Sequence, residues 1–198
     1  MSRYKSVDRD QILSSTRSRL LQAAAEEFAR CGYSQANINR ISESAGVARG
    51  TIYNYFSGKA QLMSELIEHV AGQHCEFIAA QVHQEHDPRR RLERFYQAGF
   101  EFVAQHPAQA RLMATTLSGA QAEFREQMVR GNLPLFRLLS QDILEQGIEQ
   151  ELFRPLDREA TVLVLMTLYL GSLAQADLTG KIWLDHRQVS NFASSALR

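Results

Sequence analysis

A chain of 198 residues, 44% hydrophobic and 22% charged, has ample material for a buried core, which excludes disorder along its whole length. Four prolines and eleven glycines favour long helices over many short strands joined by turns. The net charge is zero, yet residues 1–59 hold nine Lys/Arg against five Asp/Glu, and the remainder thirteen against seventeen. A basic head on an acidic body suits a protein of which only the head approaches phosphates.

Residues 1–14 (MSRYKSVDRDQILS) are polar and mixed in charge and read as a flexible arm. Their polarity offers no secretory leader. Ser14, Ser15 and Thr16 then offer N-caps for a helix whose Leu20, Leu21, Ala24 and Phe28 share one face and which Gly32 stops. A short second helix is expected from about Asn37 to Ser44, with Ile38 and Ile41 inward. Ala45-Gly46-Val47 is a tight turn, and a third short helix runs from about Ala48 to Phe56 before Ser57-Gly58. A long helix, about 59–84, follows and reaches from head to body; at about 1.5 Å per residue it spans roughly 40 Å.

Asp87-Pro88 breaks that helix. Further helices are expected over about 89–105, 107–117 and 121–150, the last kinked near Gly131 and Pro134. After Phe153-Arg154-Pro155 come a very apolar helix, about 158–178, closed by Thr179-Gly180, and a last one, about 185–197. The longest apolar run, Ala160 to Leu170, is too short to cross a bilayer and reads as a buried helix. Cys31 and Cys75 have no pairing or metal-ligand spacing, as for reduced thiols. A cytoplasmic, all-α protein with no membrane partner is expected.

Two short helices joined by Ala45-Gly46-Val47 make a helix-turn-helix. The turn needs a residue without a Cβ at Gly46, and small apolar Ala45 and Val47 where the helices meet. The third helix can present Arg49, Gly50, Thr51, Asn54 and Tyr55 outward, while Ile52 and Phe56 pack inward; Tyr53 is expected to be at least half buried.

The stretch from Leu20 to Leu62 also resembles the head of the tetracycline-repressor (TetR) family of bacterial transcription regulators. The matching residues are Ala24, Phe28, Gly32-Tyr33, Ile41, Ala45-Gly46-Val47, Gly50-Thr51, Tyr53, Tyr55-Phe56, Lys59 and Leu62. The resemblance implies an all-α fold: a helix-turn-helix DNA-binding domain over 15–62, joined by the long helix to a ligand-binding and dimerisation domain over 63–198. It implies a repressor released from a palindromic operator when a small molecule binds the body. Tyr53, Tyr55 and Lys59 would contact phosphates, and Arg49, Thr51 and Asn54 would read base edges in the major groove. Gly50 would allow close approach. Asn37 stands beside Ala36, where the family usually has Thr, and can cap the second helix and donate to phosphate. Ser42 stands where the family often has Ala, and Ala48 where it often has Ser, so one cap or phosphate contact is lost.

For the body, the resemblance implies a small-molecule effector and a homodimer. Phe77, Phe95, Tyr96, Phe100, Met113, Phe124, Met128, Met166 and Tyr169 are candidate pocket residues, although such residues at helical spacing also build plain core. Arg94 or Arg111 could hold an acidic ligand. Val162, Leu165, Met166, Tyr169, Leu173, Val189 and Phe192 are the candidate dimer interface, on helices whose apolar faces exceed one buried stripe. A metal- or redox-sensing regulator, built on His83/His86, His74-Cys75 or a thiol, is the alternative, as is a ligand-binding module that has lost DNA binding. No nucleophile–base pair or phosphate-binding glycine loop stands out, so neither catalysis nor a resident cofactor or metal is expected.

Overall fold

The computed structural model describes the backbone of residues 2–179 and 184–198, and side chains over 13–173 and 184–198. Gly180, expected to stop a helix, lies outside the described residues. Among those residues the chain is entirely helical, without strand.

The first helix, α1 (Ser2–Gln35), is longer than expected: the backbone of residues 2–14, read as a separate arm, is continuous with it. Nothing in that segment breaks a helix, since it lacks glycine and proline, so the hydroxyls at 14–16 do not act as a start. Leu20, Leu21, Ala24, Ala25 and Phe28 form its buried stripe. Gly32 (φ 73°) interrupts it, and one further turn ends at Gln35.

Helix α2 (Ile38–Ser44) is capped as anticipated: the Asn37 side chain accepts a 2.9 Å hydrogen bond from the Asn39 N–H. Gly46 turns the chain with φ 67°, a left-handed conformation that a Cβ would strain. The third element is shorter than the helix expected over 48–56. It is a single 3-10 turn, Thr51–Asn54, ended by Tyr55 and Phe56 N–H groups that both donate to Ile52 O. β-branched Thr51 and Ile52 beside aromatic Tyr53 and Tyr55 are poor helix formers, and Gly50 and Gly58 flank them. Buried Ile52 and Phe56 anchor the turn to the α1 stripe.

Helix α3 (Lys59–Val82) is about 36 Å long and is the spine. Its buried residues, from Leu62 to Val82, face α1 at one end and α4 (Pro88–Gln105), α5 (Pro107–Ser118) and α6 (Ala122–Gly131) beyond. The chain breaks at Asn132, close to the kink expected at Gly131 and Pro134. It resumes as α7 (Leu133–Arg137), a wider π-helical segment (Leu138–Glu145) and α8 (Gln146–Glu149). Helix α9 (Arg158–Thr179) packs on α4 and the π segment. Helix α10 (His186–Ala196) starts with a capping box between Asp185 and Gln188 and lies along α4.

Two buried clusters result. One joins the head (Leu20 to Phe56) to Leu62–Ala71 of α3 and to Phe102, Leu112, Met113, Phe124 and Met128. The expected domain boundary near residue 62 therefore falls inside a continuous core. The other gathers Phe95, Tyr96, Ile143, Leu165, Met166, Tyr169 and Val189 around α4 and α9.

There the helices approach closely because residue 99 is glycine. A Cβ at Gly99 would stand 2.2 Å from a ring carbon of fully buried Tyr169. Gly99→Ala is expected to cost about 1–3 kcal/mol through that clash. Thermal unfolding should register it as a fall of at least a few degrees in Tm.

Candidate nucleic-acid interface

Three restraints fix the surface of the head. Ser42, fully buried, donates from its hydroxyl to Ile38 O (3.2 Å) or Arg49 O (3.4 Å), which binds α2 to the start of the 3-10 turn. The hydroxyl that replaces the more usual methyl at position 42 is thus used internally.

Glu27, on the buried side of α1, accepts from Arg30 (2.6 Å) and from the Asn37 N–H (3.3 Å). Burial pushes its carboxyl up, but Arg30 and the Asn37 N–H together hold it below its ordinary value. Sequence reasoning missed Glu27, although its spacing of three from Ala24 and seven from Leu20 puts a carboxylate on an apolar stripe.

The third restraint is Lys59. Its ammonium donates to Ser34 O (3.0 Å) and Ala36 O (3.2 Å) and lies 5.0 Å from the Tyr33 ring centroid. Two of its three N–H bonds thus pin the start of α3 to the α1–α2 connection.

On this frame the 3-10 turn faces outward. Tyr53 is 55% exposed, contrary to the expectation that it would be at least half buried, because Ile52 and Phe56 already occupy the anchoring positions. Asn54 and Asn37 are exposed, and Thr51 and Tyr55 are partly covered, Tyr55 lying against Phe56. A Cβ at Gly50 would meet nothing within 4 Å, and its φ of −77° is open to any residue, so nothing inside the chain requires glycine there. Arg49 pairs with Glu43 (Nε–Oε1 2.8 Å) at an exposed site. Such a pair is worth about 0–1 kcal/mol and opens readily to a competing anion or base edge.

In the body, the nine candidate pocket residues divide between the two clusters. Met113, Phe124 and Met128 belong to the cluster shared with the head, and Phe95, Tyr96, Met166 and Tyr169 to the other. Phe77 packs against both, and Phe100 lies beside the second. Phe124 borders a cleft between α1, α3, α5 and α6. Arg94 is paired with Glu101 (3.1 Å), and Arg111 is exposed.

His74 is turned away from any exposed cluster and forms a buried polar triad that sequence reasoning missed. It bonds Asn132 Oδ1 (2.8 Å) and the Tyr169 hydroxyl (2.6 Å). Burial holds its pKa down to about 4. Its place on the α3 stripe of Leu66, Val70 and Ile78 signalled burial, but nothing in sequence pointed to partners 58 and 95 residues away.

His83 faces Asp142 (3.1 Å), and His86 is exposed. Burial, and then the Glu27 carboxylate, raise the Cys31 thiol, while burial pushes Cys75 up to about 11. Neither is a poised thiolate at neutral pH.

The candidate dimer residues require a correction. Val162, Leu165, Met166, Tyr169 and Val189 are buried in the core of the single chain, because this face of α9 and α10 covers α4 and the π segment. Leu173 is partly buried, and Phe192 alone of the seven is well exposed, at 65%. Leu163, Val164 and Leu170 form the outward face of α9.

A helix-turn-helix presented from an all-helical head, with a helical body behind it, defines a DNA-binding transcription regulator. Residues 20–66, which form most of the head, match the model of the bacterial regulatory proteins of the tetR family. It is 27% identical over 143 residues to the HTH-type transcriptional repressor KstR2 of Mycobacterium tuberculosis, covering 72% of each chain. Its fold matches the fatty acid degradation regulator FadR of Bacillus halodurans, with a TM-score of 0.81 at 22% identity over 91% of this chain and 99% of that one. It also matches the FadR of Bacillus subtilis in complex with stearoyl-CoA, with a TM-score of 0.79 at 23% identity over 91% and 96%. No described helix is long and apolar enough to cross a membrane.

Proposed function

We propose that the chain is a homodimeric repressor whose head, residues 15–62, occupies a palindromic operator and whose body, 63–198, releases it on binding an acyl-coenzyme A thioester. The observation that carries the DNA reading is the outward 3-10 turn. Arg49, Thr51 and Asn54 face the base edges, Tyr53 and Tyr55 the phosphates, and Asn37 a flanking phosphate, while Gly50 leaves room for the backbone of the duplex. Lys59 acts by holding these elements in register and offers its remaining N–H to phosphate.

The dimer forms through Leu163, Val164, Leu170 and Phe192, an apolar surface left after folding that meets its own copy across a two-fold axis. The two heads then address successive major grooves, roughly 34–36 Å or a multiple apart. The effector class is supported by the stearoyl-CoA complex of the Bacillus subtilis protein. Within this chain the apolar second cluster offers an acyl chain its site: Phe95, Tyr96, Phe100, Met166 and Tyr169 line it, and swinging Tyr169 off Gly99 opens room. Phe77, touching both clusters, carries the change toward the head.

The test is anisotropy of labelled DNA from upstream of the protein's own gene, with stearoyl-CoA and free coenzyme A added in turn. Tight binding that weakens steeply with salt, and is reversed by the thioester but not by free coenzyme A, is the expected outcome. DNA binding indifferent to a series of acyl chain lengths would remove the effector class. Failure to select any fragment from the whole genome would remove the DNA reading.

A further inference from the structure

The cleft beside Phe124 has the makings of a second ligand site, at the joint between head and body and separate from the acyl site proposed above. It encloses about 260 Å³, just under the ~300 Å³ at which pockets for drug-sized ligands begin, so it suits a one- or two-ring molecule. Phe28 and Tyr33 from α1, Met63 from α3 and Phe124 from α6 form aromatic and thioether walls, with Tyr33 and Phe124 edge to face at 4.8 Å. Such walls favour an aromatic guest.

No Lys, Arg, His, Asp or Glu lines it, so a charged guest would lose its hydration without compensation. Thr116, 6% exposed, lies in the wall, and its hydroxyl has no hydrogen-bond partner among the described residues. A buried hydroxyl left unpaired is costly to the fold, and a guest carrying one hydroxyl would satisfy it.

We propose that this cleft binds a small uncharged aromatic alcohol of the phenol or naphthol class through the Thr116 hydroxyl. The guest touches Tyr33, whose ring centroid lies 5.0 Å from the Lys59 ammonium that pins the start of α3. Occupancy therefore bears directly on head orientation; this consequence alone rests on the DNA-binding reading.

The test uses the full chain labelled with 13C at its methionine methyls, titrated with 2-naphthol and, separately, with benzoate. Met63 lines the cleft, whereas Met166 is buried in the other cluster and serves as the internal reference. The expected result is a saturable shift of the Met63 methyl with 2-naphthol, none with benzoate, and a still Met166. Thr116→Val keeps the side-chain shape, should fold with an unchanged or higher Tm, and should bind 2-naphthol about tenfold more weakly or worse. A motionless Met63, an equal response to benzoate, or undiminished binding by the folded Thr116→Val chain would overturn the proposal. None of these readouts involves DNA, so failure of the operator reading would leave them intact.

Discussion

Arg49→Ala combined with Tyr53→Ala is expected to lower specific DNA affinity by roughly 30- to 1,000-fold, given about 1–3 kcal/mol for a bidentate base contact plus one lost phosphate contact. Both side chains are exposed, and Arg49 pairs with exposed Glu43, so thermal unfolding of the variant should match the parent. The slope of log affinity against log salt should fall by at most about one, for the positive charge removed with Arg49, since the neutral Tyr53 hydroxyl releases no counterion. Lys59→Ala makes an instructive contrast. It removes two hydrogen bonds to the Ser34 and Ala36 carbonyls and the contact with Tyr33, so it should weaken DNA binding and lower Tm together. Anisotropy and calorimetry on the three proteins separate the roles. Undiminished, equally salt-sensitive binding by the double variant would remove the 3-10 turn from the interface.

His74 should make the fold acid-sensitive. The folded ring stays neutral down to about pH 4, whereas in the unfolded chain it takes up its proton near 6.5. Between those values the unfolded state binds the extra proton, so stability is fully present above about pH 7 and falls as the pH drops toward 4. The loss amounts to about 3 kcal/mol over the full span. Its neighbours do not share this titration: burial drives Tyr169 well above its ordinary value and Cys75 to about 11, and Asn132 carries no charge. His74→Gln, which can still hydrogen-bond but does not titrate, should start less stable near neutral pH and show a flatter profile. Urea unfolding of both proteins near pH 7 and near pH 4 measures the difference. Parallel profiles would exclude His74 as the cause.

What could be read in the sequence follows from where each signal is local. Gly46 at positive φ, Asn37 as a cap, and Ile52 and Phe56 as anchors each depend on neighbours a few residues away, and they made the helix-turn-helix legible. The facing of α9 was not legible, because it is apolar all round. Val162, Leu165 and Tyr169 on one side, and Leu163, Val164 and Leu170 on the other, have equal claims until α4 is seen to cover the first set. Tyr53 misled for a related reason: an aromatic ring signals burial unless the positions that anchor its turn are already filled. The Thr116 cleft and the Asn132–His74–Tyr169 triad join separate helices, which no spacing rule brings together.

The core that runs uninterrupted from Phe28 and Phe56 through Leu66 to Leu112 and Met128 also bears on how such a regulator can be recombined. A chimera cut at residue 62 would marry a foreign head to the surfaces of α5 and α6 that are shaped for this one, leaving mismatched volumes where Phe28 and Tyr33 now meet Phe124. An exchange of operator preference is better made on the outward residues of the 3-10 turn alone. An exchange of sensing body has to bring its own α1 with it. The joint, rather than either part, is then the unit that is inherited whole.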